Sequence, residues 1–177
     1  MRPLRSLILL LVVATFLLVA LIRPLPGLAG GTAQQTRKHS HRLSQRRRLW
    51  LAKRRVEQRR ARVVEYARRF VGVPYEWGGS SPRTGFDCSG LVRFVYQHFG
   101  ISLPHSSYGD LSHGRAVLRK YLKPGDLVFF AGASHVGIYV GRNRVIDAPH
   151  SGAVVHVSTM SDWYSSEYDG ARRLLPS

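Results

Sequence analysis

Cysteine occurs once in the 177 residues, and acidic side chains number 10 against 27 lysines and arginines. A lone thiol has no internal disulfide partner, and it excludes a cysteine-rich zinc site. The histidines supply no other metal site. His39 and His41 fall in a basic stretch, and His98, His105, His113, His150 and His156 show no recognised ligand spacing; these five read as surface or loop histidines. Gly78, Gly79 and Gly85 come without the lysine and the strand-loop-helix pattern of a phosphate cradle. No cofactor and no metal are expected. The scarcity of acids leaves a formal net charge of +17, which draws any polyanion, whether nucleic acid, anionic lipid or anionic wall polymer.

That charge is unevenly placed. Residues 37–69 hold 14 of the 27 basic side chains, whereas residues 61–177 hold 13 basic and 9 acidic ones, a net of +4. Ahead of both, Arg2 and Arg5 precede residues 7–22, which carry no charge and end at Arg23. A basic start and then a short apolar run describe a secretory signal. The run is slightly long for a cleaved signal and slightly short for a comfortable span. Small residues at 27–33 offer cleavage after Ala29 or Ala33. Residues 1–33 are therefore read as a signal peptide or an N-terminal membrane anchor, with cleavage preferred. The basic excess behind the run opposes outward placement of the C-terminal part, so the chemistry of that part decides for export. Residues 34–60 permit a helix by composition, with a thin apolar face of Leu43, Leu49, Trp50, Leu51 and Val56. They are read as a solvated basic spacer. Contact with an anionic wall polymer or a membrane is the sharper alternative, and export argues against nucleic acid.

Residues 61–177 have the length of one small domain that builds its core without covalent staples. Val63, Val64, Ala67, Phe70 and Val71 recur at helical spacing and predict an amphipathic helix ending at Gly72. Next comes a Gly-, Ser- and Pro-rich loop carrying Tyr75 and Trp77. Leu91, Val92, Val95, Tyr96 and Phe99 line one side of a second helix that starts at Cys88 and stops at Gly100. A Pro-Gly-Asp turn leads into a strand at 127–130, and further strands are predicted in 135–141, 143–149 and 152–158, with a short one at 171–175. Helices first and closely spaced strands after predict an α+β fold, with N-terminal helices packed on one face of an antiparallel sheet.

Cys88 at a helix start sits where unpaired backbone N–H groups and the helix dipole favour a thiolate. His135 opens the strand at 135–141 and supplies the imidazole a thiol nucleophile needs as its base, and that base needs an orienter. Asp147 and His150 are both candidates. If the strands at 135–140 and 144–148 pair through their short turn, Asp147 reaches His135, fixes its tautomer and favours the imidazolium. His150 lies beyond Pro149, outside the expected strand.

The segments GVPYEWGG, GFDCSGLVRFVY, LKPGDLVFF, SHVGIYVG and VIDAPHSG appear in that order across residues 72–152. In this combination the chain resembles the NlpC-type cell-wall cysteine endopeptidases, compact relatives of papain. The resemblance implies Cys88 as nucleophile, His135 as base and Asp147 at the third position, where many relatives carry histidine. It implies that Tyr75 helps hold the oxyanion, beside the Cys88 backbone N–H. Asp87 and Ser89 match positions lining the substrate groove, although by themselves they read as helix-start caps. Trp77, which taken singly reads as a packing residue, is placed in the same groove because of its position in the loop ahead of Cys88 and not by the resemblance. The implied substrate is the peptidoglycan stem peptide, cut between D-glutamate and a diamino acid such as meso-diaminopimelate.

The expectation is an exported monomeric cysteine endopeptidase acting on peptidoglycan, with a basic spacer ahead of its catalytic domain. Two rivals remain open on sequence alone. A cysteine amidase or acyltransferase on another amide or lipid uses the same pair and releases an acyl group rather than a peptide fragment. A non-catalytic wall-binding protein relies on the basic segment and leaves Cys88 unreactive toward substrate-like electrophiles.

Overall fold

The structure, a computed structural model, describes residues 32–175. The apolar run at residues 7–22 and the cleavage point after Ala29 lie outside the described residues. Among the described residues, no helix is long and apolar enough to cross a membrane. The chain divides into two compact units, Met1–Arg48 and Leu49–Ser177. The described part of the first is helical, and its described side chains are exposed. All the remaining architecture belongs to the second.

Helix α1 runs through Thr32–Arg68. Its apolar periodicity takes effect only in the last turns, where Val63 and Ala67 are fully buried. Helical structure stops four residues short of Gly72, the expected end. Val71 is therefore off the buried stripe and 46% exposed, while Phe70 still reaches the core from the turn. The basic stretch does not remain wholly in solvent. Arg60 is buried and donates to Asp126 Oδ1 at 3.3 Å and to the Leu175 carbonyl at 3.3 Å.

Strands β1 (Ser80–Ser81) and β2 (Gly85–Phe86) make a small ribbon ahead of helix α2, Cys88–His98. A short helix α3 (Ser107–Asp110) comes next. Then come β3 (Arg115–Ala116), β4 (Leu127–Phe130), β5 (His135–Gly141), β6 (Arg144–Asp147), β7 (His156–Thr159), helix α4 (Asp162–Ser166) and β8 (Tyr168–Arg173). The six strands β3 to β8 form one antiparallel sheet in the order β3-β8-β4-β5-β6-β7. The strand expected at 152–158 forms only from His156. The expected last strand begins earlier than 171, at Tyr168, and lies between β3 and β4, because its backbone pairs with both.

Strand β4 is buried along its whole length because both faces of the sheet are covered. Leu127 and Phe129 join Val136, Ile138, Ile146 and the apolar side of α2 in one core, together with Val63 and Ala67 of α1. Val128, Phe130, Val145 and Met160 form a second core on the other face. Each fully buried aliphatic or aromatic side chain contributes on the order of 1.5–3 kcal/mol relative to exposure. This is a papain-like α+β domain, with its helical layer packed against a central antiparallel sheet. The β5–β6 hairpin turns at Arg142 and Asn143, both at positive φ (54° and 55°), as a tight hairpin requires. That turn sets Ile138 opposite Ile146 and brings His135 and Asp147 to the same end of the sheet.

Candidate active site

Asp87 caps α2, accepting from the Gly90 backbone N–H at 2.6 Å. The same carboxylate takes the Gly78 N–H at 2.9 Å, the Ser89 hydroxyl at 3.0 Å and His105 Nε2–H at 3.1 Å. These four partners fix the first turn against the preceding loop and hold Cys88 at the head of the helix. Close packing demands glycine here: a Cβ at Gly90 would lie 2.0 Å from the Gly79 carbonyl oxygen and 3.0 Å from His105 Nε2. His105, expected as a surface or loop histidine, is part of this seat. Its neighbour in space lies 18 residues away, beyond the reach of local pattern.

Cys88 is partly exposed and has no disulfide partner. It opens on a cavity of about 800 Å³ whose walls include Tyr75, Trp77, Asp87, Ser89, His135 and His150. All the sequence-selected site residues except Asp147 line this one cavity. Asp147 is fully buried behind His135. His135 donates from Nε2–H to Asp147 Oδ2 at 2.9 Å, which leaves Nδ1 as the nitrogen available to Cys88. Burial pulls the imidazole's pKa down, but the hydrogen bond to Asp147 and the nearness of Cys88 outweigh it and raise the value from 6.5 to about 9. That shift favours the charged ring. His150 makes no such bond; its Nδ1–H goes to the Ser151 carbonyl at 3.0 Å.

Gly137 lets the pair form. A Cβ there would meet Val145 Cγ2 at 2.9 Å and Asp147 Cβ at 3.2 Å, pushing the carboxylate aside. Tyr75 is anchored by its N–H to the Ala153 carbonyl at 2.9 Å. Burial, then Cys88, Asp87 and Glu76, raise its phenol's pKa, so the hydroxyl stays a donor. Trp77 is 84% exposed at the cavity rim, free to stack on an incoming chain. Asp87 and Ser89 do line the cavity, yet their mutual hydrogen bond and the cap show a structural task as well.

Three further neighbours have no signature in the sequence. Ser158 donates to Asp147 Oδ1 at 2.9 Å and Tyr164 to Oδ2 at 2.7 Å. Trp163 sets its ring edge-on to His135, centroids 6.2 Å apart, and lines the same cavity. The only available sign is the alternation that puts Ser158 on the face of His156, which is in register with Asp147. Helix α4, which carries the two aromatics, is absent from the elements the sequence predicts.

A partly exposed cysteine at a helix head shares one cavity with an imidazole that is hydrogen-bonded to a buried carboxylate, a set of groups capable of thiol-dependent acyl transfer. Residues 72–173 match the model of the NlpC/P60 family, and the chain belongs to that family. It is 44% identical over 117 residues to the gamma-DL-glutamyl hydrolase of Bacillus subtilis (strain 168), covering 63% of this chain and 28% of that protein. It is 44% identical over 115 residues to the murein DD-endopeptidase MepH of Escherichia coli (strain K12), covering 59% of this chain and 42% of that one. The crystal structure of an NlpC/P60 family protein from Bacillus cereus ATCC 10987 superposes with a TM-score of 0.62 at 36% identity, over 64% of this chain and 39% of that one. The chain thus spans less than half the length of these relatives.

Proposed function

We propose that this protein is an exported cysteine endopeptidase that cuts peptidoglycan stem peptides. The observation that carries the reading is Cys88 at the head of α2, sharing one cavity with a His135 whose far nitrogen is bound to buried Asp147. In the proposed reaction the pair starts as thiolate and imidazolium. Cys88 Sγ attacks the amide carbonyl carbon. The resulting oxyanion is met by the Cys88 backbone N–H and the Tyr75 hydroxyl. Imidazolium Nδ1–H protonates the leaving amine as the C–N bond breaks, which leaves a thioester on Cys88. Neutral His135 then takes a proton from water, whose oxygen attacks the thioester. The acid product leaves, and thiolate and imidazolium are restored. Asp147 holds the ring through both steps, and Trp77 flanks the bound chain.

The bond proposed is the one between D-glutamate and a diamino acid, meso-diaminopimelate in the first instance. The glutamyl hydrolase among the relatives supports it; the murein DD-endopeptidase makes the cross-link between stem peptides the competing bond. Mass analysis of muropeptides digested by wild type and Cys88→Ala distinguishes the two bonds by their fragments. Loss of all cleavage in the variant is expected, and unchanged turnover would refute the assignment. Residues 37–48 carry six lysines and arginines and no acid, distributed around an exposed helix. Insertion into a membrane surface needs an apolar face, so a linear anionic wall polymer is the partner proposed for this segment. Salt-sensitive retention on purified walls, lost when the walls are stripped of that polymer, tests it.

A further inference from the structure

Asp147 is buried at the end of β6 and receives three hydrogen bonds: from His135 Nε2–H, from the Ser158 hydroxyl and from the Tyr164 hydroxyl. Each hydroxyl has one proton, and both oxygens also lie 3.0 Å from each other. The two carboxylate oxygens have lone pairs for all three donors. The two hydroxyls reach Asp147 by different routes. Ser158 is on β7, two residues beyond the register partner of Asp147. Tyr164 is on α4, whose first residue, Asp162, stands at φ 45°, a left-handed conformation that L residues seldom adopt and aspartate tolerates. Phe130 meets the Tyr164 ring edge-on at 5.1 Å and fixes it from the sheet side. Burial and the nearby carboxylate raise the phenol's pKa well above its ordinary 10.0, so it remains a donor.

We propose that Ser158 and Tyr164 are positioning residues: they hold the Asp147 carboxylate as a fixed acceptor, and through it keep the His135 ring in one orientation toward Cys88. This rests on the thiol-hydrolase reading above. Without the clamp the carboxylate keeps only its bond to His135, and the ring loses its fixed azimuth; Ser158 lies off the cavity, whereas Tyr164 also lines its wall. The unusual backbone at Asp162 then has a task, since it starts the turn of helix that brings Trp163 and Tyr164 to the cavity wall and the Tyr164 hydroxyl to Asp147.

The test compares full-length wild type, Tyr164→Phe, Ser158→Ala and the double variant on purified muropeptides, with His135 followed by NMR. Each single variant should lower kcat about tenfold with KM little changed, the size expected for one hydrogen bond to a charged group. In an Asp147→Ala background, Tyr164→Phe should have no further effect on kcat, because nothing remains to be held. The His135 ionisation should move up in Tyr164→Phe, where a carboxylate relieved of one donor presents more charge to the ring. It should move down in Asp147→Ala. A merely structural role would lower thermal stability without these paired shifts. Wild-type kinetics in both single variants, or fully additive losses with Asp147→Ala, would overturn the proposal. Should the double variant fail to fold, the single variants and the NMR shifts decide. A wild type that cleaves no muropeptide would overturn the hydrolase reading instead, and the His135 titration would still decide the clamp.

Discussion

Of the three aspartates this domain buries completely, two have charged or polar partners and are treated in opposite ways. Just ahead of β4, Asp126 takes Arg60 at 3.3 Å, Arg173 at 2.8 and 2.6 Å, and the Lys123 backbone N–H at 2.8 Å. At the end of β6, Asp147 takes one imidazole and two neutral hydroxyls. The guanidinium groups keep their charge at any working pH, so the first joint permanently ties α1 and β8 to the turn ahead of β4. The imidazole loses its charge within an accessible range, so the second joint changes with conditions. Permanent countercharge belongs to the scaffold; the removable one belongs to the site proposed for the chemistry.

The sharpest way to break this contrast is to remove each carboxylate. Asp126→Ala leaves two buried guanidinium groups without their shared anion and should cost about 3–5 kcal/mol of stability, read by chemical denaturation. Asp147→Asn should leave the fold largely intact but lower kcat by at least about 100-fold, the scale of a misdirected general base. The amide must turn an N–H₂ toward at least one of the donors that the carboxylate accepts. A stability loss for Asp147→Asn as large as that for Asp126→Ala, with kcat unchanged, would erase the distinction between the two regions.

Much of this site is legible in the sequence because its parts are local. Cys88 announces itself by solitude and by the helix pattern behind it. His135 and Asp147 are joined by a hairpin whose turn is visible at residues 141–143. The illegible parts depend on distant partners. Arg60 looks like the end of a solvated spacer, yet its anion lies 66 residues away. Tyr164 and Ser158 sit in stretches without a chemical signature, and they matter only because the sheet register carries them to Asp147. Val71 misleads for a simpler reason, since apolar spacing does not reveal where the helix stops.

Changing pH sharpens the comparison further. His135, raised from 6.5 to about 9, contributes stability that is fully present below about 6.5 and is lost as pH rises through about 9. The descending limb of kcat/KM should fall near pH 9 for the same reason, measured on a muropeptide. The Asp126 joint should show no matching change over that interval. A third buried aspartate, Asp110, has no hydrogen-bond partner for its carboxyl among the described residues, and burial pushes it from 3.8 up to about 7. Its neutral form favours the fold fully below about pH 4, and that contribution is lost as pH rises to about 7. Asp110→Asn should therefore raise the melting temperature by roughly a few degrees above pH 7 and change it least near pH 4, as scanning calorimetry at the two pH values would read.

Strand β8 enters the sheet beside β4, pairing Tyr168 with Phe130, although β5, β6, β7 and α4 all lie between them in the chain. Synthesis proceeds from the other end. A nascent chain that has already made β4, β5, β6 and β7 still shows a bare hydrogen-bonding edge on β4, and Asp126 still lacks Arg173. Closure of the domain is consequently a late event governed by a long-range pairing, and until it happens that open edge is the place where a second nascent chain would dock in error.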